Sequence, residues 1–187
     1  MYDTSDIRKN LKITIDGNPW VVVEFQFVKP GKGTAFTRTR IKNMITGAVL
    51  DRTFKSGEKL QPADVEERRM QFMYREGDSF WFMDSGNYEQ IAVDVSHVGD
   101  GEGFLAENLV VDVLFFNGKP IGVTLPTFVE VELASCEPGL RGDTASGGTK
   151  PAKLSTGAVV QVPLHVNEGD RIKIDTRDGT YVERVRK

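Results

Sequence analysis

The chain has 187 residues, 39% hydrophobic and 27% charged, a composition that can bury real cores and excludes general disorder. Twenty-four Lys and Arg against 27 Asp and Glu give a net charge of −3, which argues against a polyanion bound along the whole surface. With 19 Gly and 11 Phe, many Val and Thr, and few long runs of Ala, Leu, Glu and Lys, the vocabulary is that of a β-protein.

In chain order, MYDTSDIRKNLKI (1–13) carries acidic and basic residues where a secretory signal needs an uninterrupted apolar run. No apolar stretch of about 18 residues follows anywhere, so a soluble cytoplasmic protein with no membrane partner is expected. Charge is distributed unevenly. Residues 1–63 hold 11 basic and 6 acidic residues, residues 64–126 hold 4 and 12, and residues 127–187 hold 9 and 9. A basic first block beside an acidic middle points to polyanion contact at the ends of the chain.

The first block reads as a small barrel. In WVVVEFQFV (20–28), period-two alternation places Val21, Val23, Phe25 and Phe27 on one face. After KPGKGT (29–34), Phe36, Arg38 and Arg40 alternate with Ala35, Thr37, Thr39 and Ile41. The two runs form a hairpin over 20–41. Pro30 presets φ near about −65°, and Gly31 and Gly33 accept positive φ, so Lys32 is expected fully exposed at the tip. DGNPW (16–20) and MITGAVL (44–50) supply further turns.

The middle block, ERRMQFMYREGDSFWFMD (67–84), gives two strands around Glu76-Gly77-Asp78, with Met70, Phe72 and Tyr74 on one face. ENLVVDVLFFNG and KPIGVTLP meet at Asn117-Gly118, the strongest short hairpin signal in the chain. TLPT around Pro126 is a linker candidate. In the last block AVVQVPLHV, DRIKIDT and TYVERV are separated by turns at residues 167–170 and 178–179. Short strands at this spacing, in pieces of about 60 residues, suit small barrels of the OB type.

Few residues promise chemistry. His97 and His165 lack any second ligand at metal spacing, so surface or core histidines are the default and no metal is expected. GKGT (31–34) is not a phosphate-binding P-loop: Gly33 separates Lys32 from Thr34, Phe27 holds the position of the required glycine, and a strand follows. Arg141-Gly142-Asp143 reads as a turn. Cys136 is single, with no disulfide or CxxC partner, and is read as structural. No carboxylate pair is singled out, so an enzyme is the weaker class and no cofactor or catalytic residue is assigned.

Three stretches carry a resemblance. KPGKGTAF (29–36), EPGLRGDTASGGTKPA (137–152) and KPAKLSTGAVVQVPLHVNEGDRIKIDTRDGTYVERV (150–185) are similar to the bacterial translation elongation factor P family. The last has Lys150, Ala152, Gly157, Val160, Val162, Pro163, Val166 and Gly169 in register with the family signature, and the likeness covers essentially the whole chain. It implies an all-β protein of three small barrels with a tRNA-like shape: a KOW/SH3-like barrel at 1–63 and OB barrels at 64–126 and 127–187. It implies a binding factor that enters the ribosome between the peptidyl and exit sites. There the residue matching Lys32, flanked by Lys29, Pro30, Gly31 and Gly33, stabilises the CCA end of peptidyl-tRNA when consecutive prolines stall synthesis. By the same analogy Gly142, Asp143 and Thr144 face the exit-site codon of the messenger RNA, Tyr181 and Arg184 contact the small subunit, and a lysine-modifying enzyme acts on Lys32.

Another class of reading is a generic OB-fold binder of single-stranded nucleic acid with Phe80, Trp81 and Phe82 as stacking platforms. The acidic middle block opposes it, because a groove that tracks a backbone needs positive potential, and alternating aromatics in a strand are more often core.

Overall fold

The computed structural model describes residues 1–138 and 148–186. The described residues form three antiparallel sheets with little helix. The first holds β1 (Tyr2–Asp3), β2 (Lys12–Ile15), β3 (Asn18–Val28), β4 (Phe36–Asn43), β5 (Val49–Lys55) and β6 (Lys59–Pro62), in the order β1-β6-β2-β3-β4-β5. Asp16 and Gly17, both at positive φ (51° and 79°), make the two-residue turn from β2 to β3 that this geometry requires. Ile7, Ile13, Val22, Ile41, Phe54 and Leu60 close one core. Each such side chain contributes about 1.5–3 kcal/mol when fully buried.

The second sheet holds β7 (Val65–Glu76), β8 (Ser79–Asp84), β9 (Gln90–Asp94), β10 (Val110–Phe116) and β11 (Lys119–Thr124), in the order β11-β10-β7-β8-β9. A short helix α1 (Val95–Val98), capped by the Asp94 side chain accepting from Ser96 N–H, sits between its third and fourth strands. The third holds β12 (Phe128–Cys136), β13 (Thr149–Leu154), β14 (Val159–Pro163), β15 (Arg171–Asp175) and β16 (Thr180–Arg184), in the order β14-β13-β12-β15-β16. In both, the first strand is central, flanked by the second and fourth, with the third and fifth at the edges. In the third sheet those edges, β14 and β16, approach each other and nearly close a barrel around Val129, Val131, Leu133, Leu154, Val162, Ile172 and Ile174. This strand order is that of the five-stranded OB barrel.

Two alternation readings are corrected. In β3 the register against β4 shifts between Val22 and Glu24, leaving Val23 as an extra, bulged residue. Val22, not Val21 or Val23, therefore faces the core, and Phe25 and Phe27 share its face. In β7 the register shifts between Phe72 and Tyr74. Met70 and Phe72 point inward as expected, but Tyr74 turns outward beside Trp81.

By contacts the chain gathers into two compact units, Met1–Glu67 with Leu114–Gly122, and Arg68–Val113 with Val123–Lys187. Among the described residues no helix is long and apolar enough to cross a membrane.

Candidate functional site

The β3–β4 hairpin is the longest two-strand projection of the first sheet, paired from Trp20–Asn43 up to Val28–Phe36. That last pair leaves a seven-residue loop, 29–35, which contains Lys29, Pro30, Gly31, Lys32 and Gly33. Lys32 is exposed and makes no hydrogen bond or ion pair among the described residues; Lys29, Gly31 and Gly33 are exposed too. Gly33 sits at φ 101°, a conformation that disfavours any side chain. Gly31 does not, contrary to the sequence reading, so its backbone could carry a Cβ. A Cβ at either position would meet nothing within 4 Å, which describes a tip clear of the body of its own sheet.

Cross-strand register sorts the stalk into two faces. On the outer face Glu24, Arg40 and Asp51 form one row, Gln26, Arg38 and Thr53 the next, and Val28, Phe36 and Lys55 the third. Arg40 is held between two carboxylates, 3.9 Å from Glu24 and 3.2 Å from Asp51. Arg38 has no acidic partner among the described residues and lies 5.4 Å over the Phe36 ring. A groove of about 670 Å³ lined by Glu24, Arg38, Arg40, Asp51 and Thr53 meets, at Arg38 and Thr53, a second of about 530 Å³ lined by Thr34, Phe36 and Lys55. The arrangement is a trough with two guanidiniums that have no acidic partner among the described residues, Arg38 and Arg52, and a lysine leading to the tip. It can accept phosphate oxygens.

The opposite face carries Phe25 and Phe27, 41% and 60% exposed, with the Arg8 guanidinium 5.8 Å over the Phe25 ring. Alternation predicted their common face but not their exposure. Phe25 and Phe27 share their rows with Thr39 and with Thr37 and Phe54, all 3% exposed, so this face is covered over β4 and β5 and open only along β3.

The other residues singled out lie elsewhere. Tyr181, on β16, is half-buried against the third core; burial raises its hydroxyl pKa above the usual phenol range, with Arg184 pulling the other way. It lines a groove of about 470 Å³ with Thr149, Val159, Gln161 and Thr180. Arg184 is 3.7 Å from Asp170. Gly142, Asp143 and Thr144 lie outside the described residues, in the connection from β12 to β13. Phe80 and Phe82 are core (2% and 0% exposed) and cannot stack on a ligand; only Trp81 of that trio reaches the surface. Cys136 is half-buried, its thiol 3.7 Å from the Val166 carbonyl. Among the described residues no group of three or more His, Cys, Asp or Glu could hold a metal.

Comparison with known proteins covers nearly the whole chain. Three family models match: the elongation factor P KOW-like domain at residues 3–60, the elongation factor P OB domain at 65–123, and the elongation factor P C-terminal domain at 129–184. The chain is 51% identical to the elongation factor P of Pelotomaculum thermopropionicum over 99% of its own length and 100% of that protein's. It is 52% identical to that of Desulforapulum autotrophicum over 99% of each. Among solved structures, a translation initiation factor 5A from Methanococcus jannaschii matches with TM-score 0.53 and 21% identity, over 66% of this chain and 91% of that one. A related factor from Naegleria fowleri gives 0.54 and 16%, over 66% and 96%. At those identities the likeness is one of fold.

Proposed function

The chain belongs to the elongation factor P family of translation factors, and from that premise we propose that it binds the ribosome between the peptidyl and exit tRNA sites and stimulates peptide-bond formation by positioning peptidyl-tRNA. Its domains are 1–63, 64–126 and 127–187, and it works in the cytoplasm as a binding factor, not an enzyme. The observation that carries this reading is the bare Lys32 at the end of a paired stalk, exposed and with no hydrogen bond or ion pair among the described residues. A cation on such a loop can order a ligand, and order alone lowers a barrier.

Proline is a secondary amine with φ fixed near about −65°, and a prolyl donor and acceptor reach the attacking geometry poorly. Orientation alone supplies about 7–11 kcal/mol in the best model reactions, so a factor that recovers a small part of that rescues the stalled step. In this account Lys32 holds the CCA end while Arg38 and Lys55 take backbone phosphates in the trough behind it. A group added to Lys32 by a modifying enzyme extends that reach.

The third barrel is assigned the exit-site codon and the small subunit. Its β12–β13 connection carries Gly142, Asp143 and Thr144, and its β15–β16 turn leads into Tyr181 and Arg184. These are the two loops with which OB barrels take oligonucleotides, which supports the assignment.

The test is reconstituted translation of paired reporters, with and without three consecutive proline codons, supplemented with wild-type, Lys32→Ala or Lys32→Arg protein. Wild type restores the proline reporter; Lys32→Ala does not, and Lys32→Arg rescues poorly because it changes geometry and blocks a lysine-specific modification. Lys32→Ala keeps its thermal stability within about 0.5 kcal/mol, as expected of an exposed tip. Equal rescue by wild type and Lys32→Ala would reduce this lysine to a solvated turn residue.

A further inference from the structure

The free edge of the stalk has no part in the function proposed above. β4 pairs β3 along its length, but on the other side β2 pairs it only at Asn18–Val21. Asn10 N–H then donates to the Val22 carbonyl at 2.8 Å, and Val22 N–H to the Leu11 carbonyl at 2.9 Å. From Glu24 to Val28 no strand lies on that side among the described residues, and Glu24, Phe25, Gln26 and Phe27 are all exposed. Such an edge carries unpaired N–H and C=O groups, which form a template for another strand. The common ways of blunting an edge fall outside this one: the Val23 bulge comes before it and Pro30 after it. The open stretch, 24–28, matches an ordinary strand of about 5–6 residues.

The side chains say what an added strand would carry. Phe25 and Phe27, 41% and 60% exposed, end rows whose next members, Thr39 and Thr37, are buried. A residue set opposite each ring extends a row already covered on its far side, so an apolar residue fits there. The ends of the edge are cationic. Arg8 lies over the Phe25 ring and donates to the Ser5 and Ile7 carbonyls, Lys9 precedes the Asn10 contact, and Lys29 follows Val28. All three are exposed and have no acidic partner among the described residues. The one carboxylate of the edge, Glu24, belongs to the outer face, 3.9 Å from Arg40.

Charge and hydrogen bonding choose among occupants. A second copy laid antiparallel brings its Lys29 and Lys32 against Arg8 and Lys9 and meets repulsion. A phosphate backbone can accept from the N–H groups but leaves the carbonyls between them without donors. An extended peptide satisfies both, and acidic residues at its ends meet the three cations.

We propose that Glu24–Val28 takes an extended acidic segment of a partner protein as an added strand, with apolar residues opposite Phe25 and Phe27 and carboxylates against Arg8, Lys9 and Lys29. This docking does not depend on the ribosomal reading, which uses the trough on the outer face of the same strands.

The probe is the peptide acetyl-Glu-Thr-Val-Thr-Val-Thr-Glu-amide, titrated to about 1 mM into the isotope-labelled full-length protein and followed by NMR. Amide shifts are expected at Asn10 and over residues 23–29, with slowed amide exchange from Glu24 to Val28. Two companion peptides separate the contributions. With every central amide N-methylated, the peptide keeps its side chains and loses its donors, and its dissociation constant rises about tenfold. With Lys in place of both Glu it also rises about tenfold, and less at high salt. In the protein, Phe27→Thr keeps a strand-forming residue at an exposed position, leaves the melting temperature in place and weakens binding about fivefold.

No shifts at about 1 mM peptide, shifts that avoid β3, a midpoint indifferent to Phe27→Thr, or equal binding by the N-methylated peptide overturns strand addition. Equal binding by the lysine peptide overturns the acidic partner. The same shifts produced by an RNA oligonucleotide, and not by the peptide, overturn both in favour of nucleic acid.

Discussion

The β3–β4 hairpin is interrupted by one bulge, ends in a seven-residue loop and carries Arg38 and Arg40 across its outer face, with Lys55 of β5 beside them. The β7–β8 hairpin also has one bulge, but it closes in the two-residue Gly77-Asp78 turn and carries Gln71, Tyr74, Glu76, Trp81 and Met83 outward. The backbone device is shared and the surface chemistry is opposite. A bulge shifts the parity of every side chain beyond it, so a strand can keep a core at one end and present a chosen surface at the other. In β3 that surface runs along the stalk, backed by the buried Thr37, Thr39 and Phe54 of β4 and β5. In β7 it lies directly over the buried phenylalanines. The first outer face is basic at Arg38; the second is aromatic, with Glu76 at its end.

The sharpest test of the second hairpin separates its inside from its outside. Phe82→Ala removes a fully buried ring and is expected to cost about 3–5 kcal/mol in denaturant unfolding. Tyr74→Ala, one strand away but outward, is expected to cost about 1 kcal/mol or less, the value of one surface aromatic pair. Comparable losses at the two sites would mean that the bulge does not set the parity described.

For the first hairpin the two arginines should differ. Arg38→Glu reverses an uncommitted charge and is expected to weaken ribosome binding by about tenfold at low ionic strength, less as salt rises. Arg40→Glu reverses a charge already neutralised by Glu24 and Asp51, so its effect on binding is smaller. Sedimentation with ribosomes across a salt series measures both; equal slopes for the two variants would break the distinction.

Stability should also answer to pH through Asp94. Asp94 has a lowered pKa in the folded protein, so the folded state binds its proton less readily than the unfolded chain. Its contribution to stability is present above the unfolded value, about 4, and is lost as pH falls through the lower folded value. Melting temperatures between pH 6 and 2 should therefore fall less steeply for Asp94→Asn than for wild type. The smallest effect is expected at the tip. Gly31→Ala should leave stability within about 0.5 kcal/mol, whereas Gly33→Ala places a side chain at φ 101° and should cost about 1 kcal/mol.

Sequence alone determined what depends on neighbouring residues. Asn117-Gly118, both at positive φ in the structure (51° and 78°), marked its turn because few other pairs tolerate that backbone. Alternation located β3, β4, β7 and β8, and the loop between β3 and β4 fixed Lys32 as a tip, since Pro30 and Gly33 leave the chain little else to do there. Tertiary structure decided the rest, because it depends on the strand opposite. A bulge is a mismatch between two strands, so nothing within VVVEF or QFMY announces that Val22 turns inward or that Tyr74 turns outward. Arg38 and Arg40 read alike in sequence. Only the pairing of β3, β4 and β5, which brings Glu24 and Asp51 to either side of Arg40, leaves Arg38 uncommitted, because cross-strand neighbours are distant in sequence and Coulomb attraction acts over a few ångströms of space.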